Sequence, residues 1–311
     1  MSYKEDLVLY EKEALTFEQQ ADRLLKRGLI AKRAELIQRL EAVSYYRLSG
    51  YLYPFREPEA DTFKKGTNLE TIWKRYCFDR RLRVLVLDAI ERVEISLRTK
   101  VVYYFTHKYG PFGHLDEANL PKLKVSEYLE WRTGLLEETQ RSKEQFKKHF
   151  FRKYTAHQNL PFWMAAELMT MGSLLTFFKG VEPDLKRQVG KIYGLADEVM
   201  FSWLRSLNAA RNACAHHSRF WNRELGYPPQ LPRKSLDWQE GNKLRQDRCG
   251  VILMICRYML QQISPTSQWH KRIEALFNEY SEIPTELMGL PENWQQHPIW
   301  AKHLDTDETQ I

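Results

Sequence analysis

Apolar residues recur along most of this chain at intervals of three and four, the period of an α-helix with one buried face. The clearest stretch is 68–110, where Leu82, Leu85, Ile90, Val93, Leu97 and Val101 keep the period. Asn68 stands where a cap belongs and Gly110 where a helix stops. Upstream, 16–62 predicts two short helices separated at Gly28, with Thr16 as N-cap and Gln19 as its capping-box partner. An aromatic turn is expected in "YYRLSGYLYPFR" (45–56). Downstream, helices are predicted over 125–154, over 160–180 opened by Pro161, over 184–194, and over "ADEVMFSWLRSLNAARNACAHHSRFW" (196–221). A proline-rich break, "YPPQLPRK" (227–234), precedes two more helices, 242–263 and 268–282, and an irregular Trp/Pro tail. Alternating strand patterns are almost absent. The expected fold is all-α, in three regions: an N-terminal helical and aromatic-turn region (1–67), a helical core (68–225) and C-terminal helices with a tail (226–311).

Composition narrows the class. Hydrophobic residues make up 43% and charged residues 28% of the 311, as in a folded globular chain rather than a disordered one. No run approaches the roughly 18 apolar residues of a membrane span, and the N-terminus has no apolar signal core, so a cytoplasmic location and no membrane partner are expected. The four cysteines, Cys77, Cys214, Cys249 and Cys256, show no disulfide framework or C-x-x-C spacing.

The net charge of +7 is mild, but its distribution is not. Arg205, Arg211, Arg219, Arg223, Arg233 and Lys234 face the single acid Glu224 between 205 and 234. A second basic run, "RSKEQFKKHFFRK" (141–153), interleaves Lys147 and Lys148 with phenylalanines. Such stretches suit a polyanionic partner, and RNA is the partner expected.

The densest chemistry lies in "RNACAHHSRFWN" (211–222). On an ideal helix Arg211 and His216 are about 140° apart in azimuth and about 7.5 Å apart along the axis, flanking one edge. Asn212 and His216 are i,i+4 neighbours, a spacing at which the amide can orient the imidazole. Ala213, Cys214 and Ala215 allow close approach of another helix. RNA cleavage by its own 2′-hydroxyl needs a base, an acid and cationic donors on the phosphate. Histidine suits either proton task, and arginine suits the phosphate. One histidine cannot be base and acid at once; a symmetric homodimer supplies both. The spacing recurs by chance, however, and on its own leaves open a polar patch in helix packing. A metal site at Cys214, His216 and His217 lacks a second ligand pair, and a Cys214 nucleophile lacks an orienting partner. Asp88, Glu91, Glu94 and Arg98 form a charged stripe on the long helix. By pattern the stripe is a salt-bridge ladder; alternatively it faces the Arg211–His216 helix, with Glu91 holding the guanidinium.

Beyond spacing, "RNACAHHSRFWNREL" resembles the signature of the Abi-like abortive-infection family, the AbiD/AbiF group of phage-defence proteins within the HEPN superfamily of helical ribonucleases. "YYRLSGYLYPFR", "FDRRLRVLVLDAIERVEISLRT" (78–99), "YGPFGH" (109–114), "LPFWMAAELMTMGSLLTFF" (160–178) and "MGLPENW" (288–294) carry the resemblance across nearly the whole chain. It implies a HEPN-type helical bundle whose R-x4-6-H motif maps onto Arg211 and His216, with Asn212 as the polar residue after the arginine. Glu91, Arg98 and His217 are expected in support, and Arg205, Arg219, Arg223, Lys147 and Lys148 in RNA binding. The resemblance further implies metal-independent endoribonuclease activity without a cofactor, in a composite dimer site. The alternative is a non-catalytic RNA-binding module, bound in some members to a structured non-coding RNA.

Overall fold

The computed structural model describes residues 9–10, 12–233, 235–239 and 244–301. Contacts divide the chain after Asp79, inside its longest helix, into two compact units. In the first, α1 (Phe17–Lys26) starts at the expected capping box: Thr16 Oγ1 accepts from the Gln19 backbone N–H, and Gln19 Oε1 accepts from the Thr16 N–H. Gly28, at φ +94°, lets the chain turn into α2 (Arg33–Val43). Ala21 and Leu24 of α1, and Leu36 and Leu40 of α2, are buried where the two helices pack. The aromatic turn expected at 45–56 is instead α3 (Tyr45–Leu52), followed by one 3-10 turn, Tyr53–Phe55. Ser44 absorbs the reversal alone, at φ +64°, and its hydroxyl caps the Arg47 N–H, so the aromatic run is free to be helical. The first turns of α4 (Leu69–Tyr109) complete this unit: Asn68 Oδ1 accepts from the Thr71 N–H, and the buried Tyr51 hydroxyl donates to Asp79 at 2.6 Å.

From Arg80 onward α4 runs along the second unit. Leu82, Ile90, Val93, Leu97 and Val101 are fully buried, as their period requires, and Gly110 at φ +74° ends the helix. Then follow α5 (Val125–Arg141), α6 (Gln145–Lys153), α7 (Phe162–Ala165), α8 (Met171–Gly180), α9 (Pro183–Ile192), α10 (Asp197–Ala215), α11 (Leu236–Gln239), α12 (Gly250–Ile263), α13 (Trp269–Glu279) and α14 (Pro298–Ala301). Among the described residues the fold is all-α, with nothing more extended than isolated bridges, and no helix is long and apolar enough to cross a membrane. Helix α12 is buried on nearly every side and packs against α10 and α14. The Trp269 indole of α13 donates to the Leu85 carbonyl of α4. Tyr193, at the end of α9, shares a hydrogen bond with Ser96 of α4.

Three expected helices are shorter than their patterns. The 125–154 stretch breaks at Ser142, where the Lys147 ammonium takes up the carbonyls of Gln140 and Ser142. The 160–180 stretch breaks at Met169, which is extended; Thr170 then caps α8 anew through the Ser173 N–H. The last, α10, ends at Ala215 and not at Trp221. The expected start of the next helix, at Asn242, lies outside the described residues, and α12 begins at Gly250. There a Cβ would come within 2.6 Å of the Met288 carbonyl oxygen, so only glycine fits.

Below Gly110, the 3-10 turn Gly113–Leu115 buries His114 to 2% exposure. Burial, and then the nearby Arg132 guanidinium, pull its imidazole down to about 4. The unfolded chain therefore binds a proton that the folded one excludes. Stability from this residue is intact above the ordinary histidine pKa near 6.5 and is lost as pH falls toward about 4. The loss should be on the order of 3 kcal/mol. Urea unfolding at pH 7 and pH 4.5 should show a smaller acid loss in His114→Leu than in the wild type; equal losses would place the acid sensitivity elsewhere.

Candidate functional site

The carboxyl end of α10 carries the candidate site. His216 caps the helix, with its N–H on the Asn212 carbonyl at 2.9 Å. His217 lies in the left-handed region at φ +57° and donates its N–H to the Cys214 carbonyl, while the Ser218 N–H reaches back to Ala213. This is the Schellman pattern, in which glycine usually occupies the left-handed position. A histidine there holds mild backbone strain, of the kind that gathers at functional sites. The helix thus terminates through the histidine pair itself, and both imidazoles are exposed, as is Asn212.

Arg211, half-buried one turn earlier, donates to Asn212 Oδ1 at 3.3 Å, so the amide oxygen serves the guanidinium. Its acidic neighbour comes from α4. Burial raises the Glu94 pKa, while Arg98 first and Arg211 second oppose that rise, and Glu91 adds to it. Glu94 accepts from Arg98 Nη2 at 2.7 Å with both side chains about seven-eighths buried (14% and 13% exposed). The same Arg98 nitrogen donates to the Met169 carbonyl at 2.9 Å, and Nη1 lies 3.9 Å from Glu167. Glu91, expected as the holding acid, is exposed; Glu94 is the acid of the stripe whose pKa feels the Arg211 charge.

The loop after the histidines is tied down by residues the motif did not flag. Arg83 of α4, 5% exposed, donates to the Ser218 carbonyl. Arg248 bonds the Asn222 carbonyl and the Glu224 carboxylate, and the Cys249 thiol donates to the Trp221 carbonyl. Phe220 and Trp221 are buried beneath. Of the small residues before the histidines, Ala213 and Cys214 are buried; burial first, and Cys214 second, push up the pKa of the Cys256 thiol on α12. The basic residues differ in availability. Arg205 and Arg223 are exposed and Arg219 is half-buried; Arg205 stacks over the Tyr227 ring at 4.4 Å. On α6, Lys148 is exposed, whereas Lys147 is engaged at the α5–α6 break.

The model of the Abi-like protein family matches residues 38–222, which takes in α3 to α10 and closes on this loop. The chain belongs to that family. It stands with the abortive-infection proteins of phage defence. No curated protein and no solved structure matches it.

Two substitutions on α4 separate the acids of this Abi-like protein. Glu94→Ala leaves the buried Arg98 guanidinium without its acid, removes a counter-charge felt by Arg211, and should cost about 3 kcal/mol, the low end for breaking a buried pair. Glu91→Ala, at an exposed position, should stay within about 0.5 kcal/mol of wild type. Equal effects in chemical unfolding would refute the assignment. At the left-handed position, His217→Asn should be near neutral, whereas His217→Val should cost about 1–2 kcal/mol, because a β-branched side chain clashes there. Thermal unfolding of the pair checks it.

Proposed function

We propose that this Abi-like protein is a HEPN-type endoribonuclease that halts infection by cutting RNA through 2′-hydroxyl attack, with Arg211 and His216 as its catalytic pair. The observation that carries the reading is the pairing of an exposed His216 at a helix end with an Arg211 steadied by Glu94 and Asn212 one turn away. Arginine fixed in this way offers planar donors to a non-bridging phosphate oxygen. The imidazole, free to reach solvent, moves the proton at the 2′-oxygen or the leaving 5′-oxygen. Because those two tasks fall at opposite ends of the scissile bond, the reaction calls for two imidazoles, and a homodimer with two α10 ends facing one cleft provides them. Arg205, Arg219, Arg223 and Lys148 are the residues offered to the rest of the strand. His217, Arg98 and Glu91 act in support: His217 by terminating the helix, Arg98 by holding Glu94, and Glu91 through its field on Glu94. The reaction as written uses no cofactor.

A second reading keeps the same surface and removes the chemistry: a module that grips RNA, including a structured non-coding RNA, without cutting it. The engagement of Asn212 with Arg211 rather than His216 favours it, since the imidazole then has no orienting amide.

His216→Ala separates the two. Under the enzyme reading it should lower RNA cleavage about 10²–10⁴-fold and leave the melting curve near wild type. Unchanged cleavage by the folded variant, or none by the wild type on RNA that it binds, selects the binding module. Mixed Arg211→Ala and His216→Ala protomers should recover part of the activity that neither homodimer has. A monomer cutting at full rate would sink the composite site. RNA affinity should also fall steeply with salt, by roughly 0.7 in log–log slope per phosphate neutralised on a single strand.

A further inference from the structure

The "YGPFGH" and "LPFW" stretches converge on a second polar site that the RNA reading does not use. Gly113 sits so close to Tyr109 that a Cβ would fall 2.5 Å from the tyrosine Cβ, and the Asn119 amide holds the Gly113 carbonyl at 2.9 Å. This fixes His114, whose ring stacks on Phe162 with centroids 4.9 Å apart. Its Nδ1 is buried and has no hydrogen-bond partner. Leaving such a group unsatisfied is costly, and a buried orphan beside a cavity marks a place for a ligand or water. The ring lines a cavity of about 50 Å³ together with Arg132, Leu135, Thr139, Asn159 and Leu160.

We propose that this cavity is a phosphate pocket, taking one phosphate group either as the free ion or as the terminus of a larger ligand. Size sets the first limit. A water needs roughly 10–15 Å³ of such space, so the cavity holds a few waters or one tetrahedral group, with no room for a sugar or base beside it. Charge sets the second. Arg132 reaches the cavity from the exposed face of α5, and among the described residues no carboxylate pairs with it. Asp116 and Glu117 are acids whose charge reaches the neighbouring Tyr128 hydroxyl. Asn159 adds an amide donor. Hydrogen-bond polarity sets the third. The Thr139 hydroxyl already gives its proton to the Leu135 carbonyl at 2.8 Å, leaving its oxygen to accept. Hydrogen phosphate carries one O–H and bare oxygens, so it satisfies Thr139 and Arg132 together with the Nδ1–H tautomer of His114; dihydrogen phosphate, with a second O–H, satisfies the other tautomer. Sulfate has no O–H to offer and matches less well.

The test is histidine-selective NMR of the full chain titrated with inorganic phosphate, the His114 signal being the one missing from His114→Leu. A saturable shift of that signal is expected, and Arg132→Gln, a change at an exposed position, should weaken it about tenfold or more. Arg211→Ala should leave it in place, which separates this pocket from the α10 surface. Sulfate should bind more weakly than phosphate. A 5′-phosphorylated dinucleotide that shifts the signal where its 5′-hydroxyl twin does not names a terminal phosphate as the source; a response to inorganic phosphate alone names the free ion. No saturable shift, or an equal shift in Arg132→Gln, would overturn the proposal and leave a cavity filled by water.

Discussion

A carboxylate withdrawn from water, paired with Arg98 and in the field of Arg211, is the constraint on which the candidate site depends. Glu94 is mostly buried on α4, and burial alone would favour its neutral form. Arg98 and Arg211 oppose that, and each is committed elsewhere by the same arrangement. Arg98 takes the carbonyl of Met169, the extended residue at which the chain between α7 and α8 leaves the helix. Arg211 takes the Asn212 amide at the last turn of α10. One acid on α4 thereby stands with both the Arg98 that holds the Met169 carbonyl and the candidate catalytic arginine, and removing it leaves a buried guanidinium without its counter-charge.

Helix starts and stops that carry their own chemistry were legible in the chain. Thr16 with Gln19, Asn68 and Gly110 cap and stop where their residue types say they should. Interior breaks were not legible, because their causes are distant or unmarked. Nothing local to Met169 announces that Arg98 will take its carbonyl from another helix, and the Lys147 ammonium closes on carbonyls five and seven residues back. The end of α10 lacked the usual sign altogether: the left-handed position holds histidine, not glycine.

The site was legible to within one step of a helix. The exposed His216, the Arg211–Asn212 neighbours and the charged stripe on α4 could all be named from residue types. Glu91 and Glu94 could not be ranked, since three residues on a helix differ by about 60° in azimuth, a rotation small enough for pattern to miss and large enough to decide which one is buried. Arg83, Arg248 and Cys249, which hold the loop after the histidines, sit far away in sequence and bond to backbone carbonyls, a role that leaves no motif.

The direction of α10 bears on how any phosphate approaches it. Helices that grip phosphates commonly present their amino ends, where free N–H groups and the positive pole of the peptide dipoles point at the anion. Here the carboxyl end faces solvent, with roughly half a negative charge spread over its last carbonyls. Backbone polarity at His216 therefore repels a phosphate, and side chains alone must draw it in. An anion cannot come to rest on the helix axis; it is displaced sideways, toward the flank that Arg211 occupies.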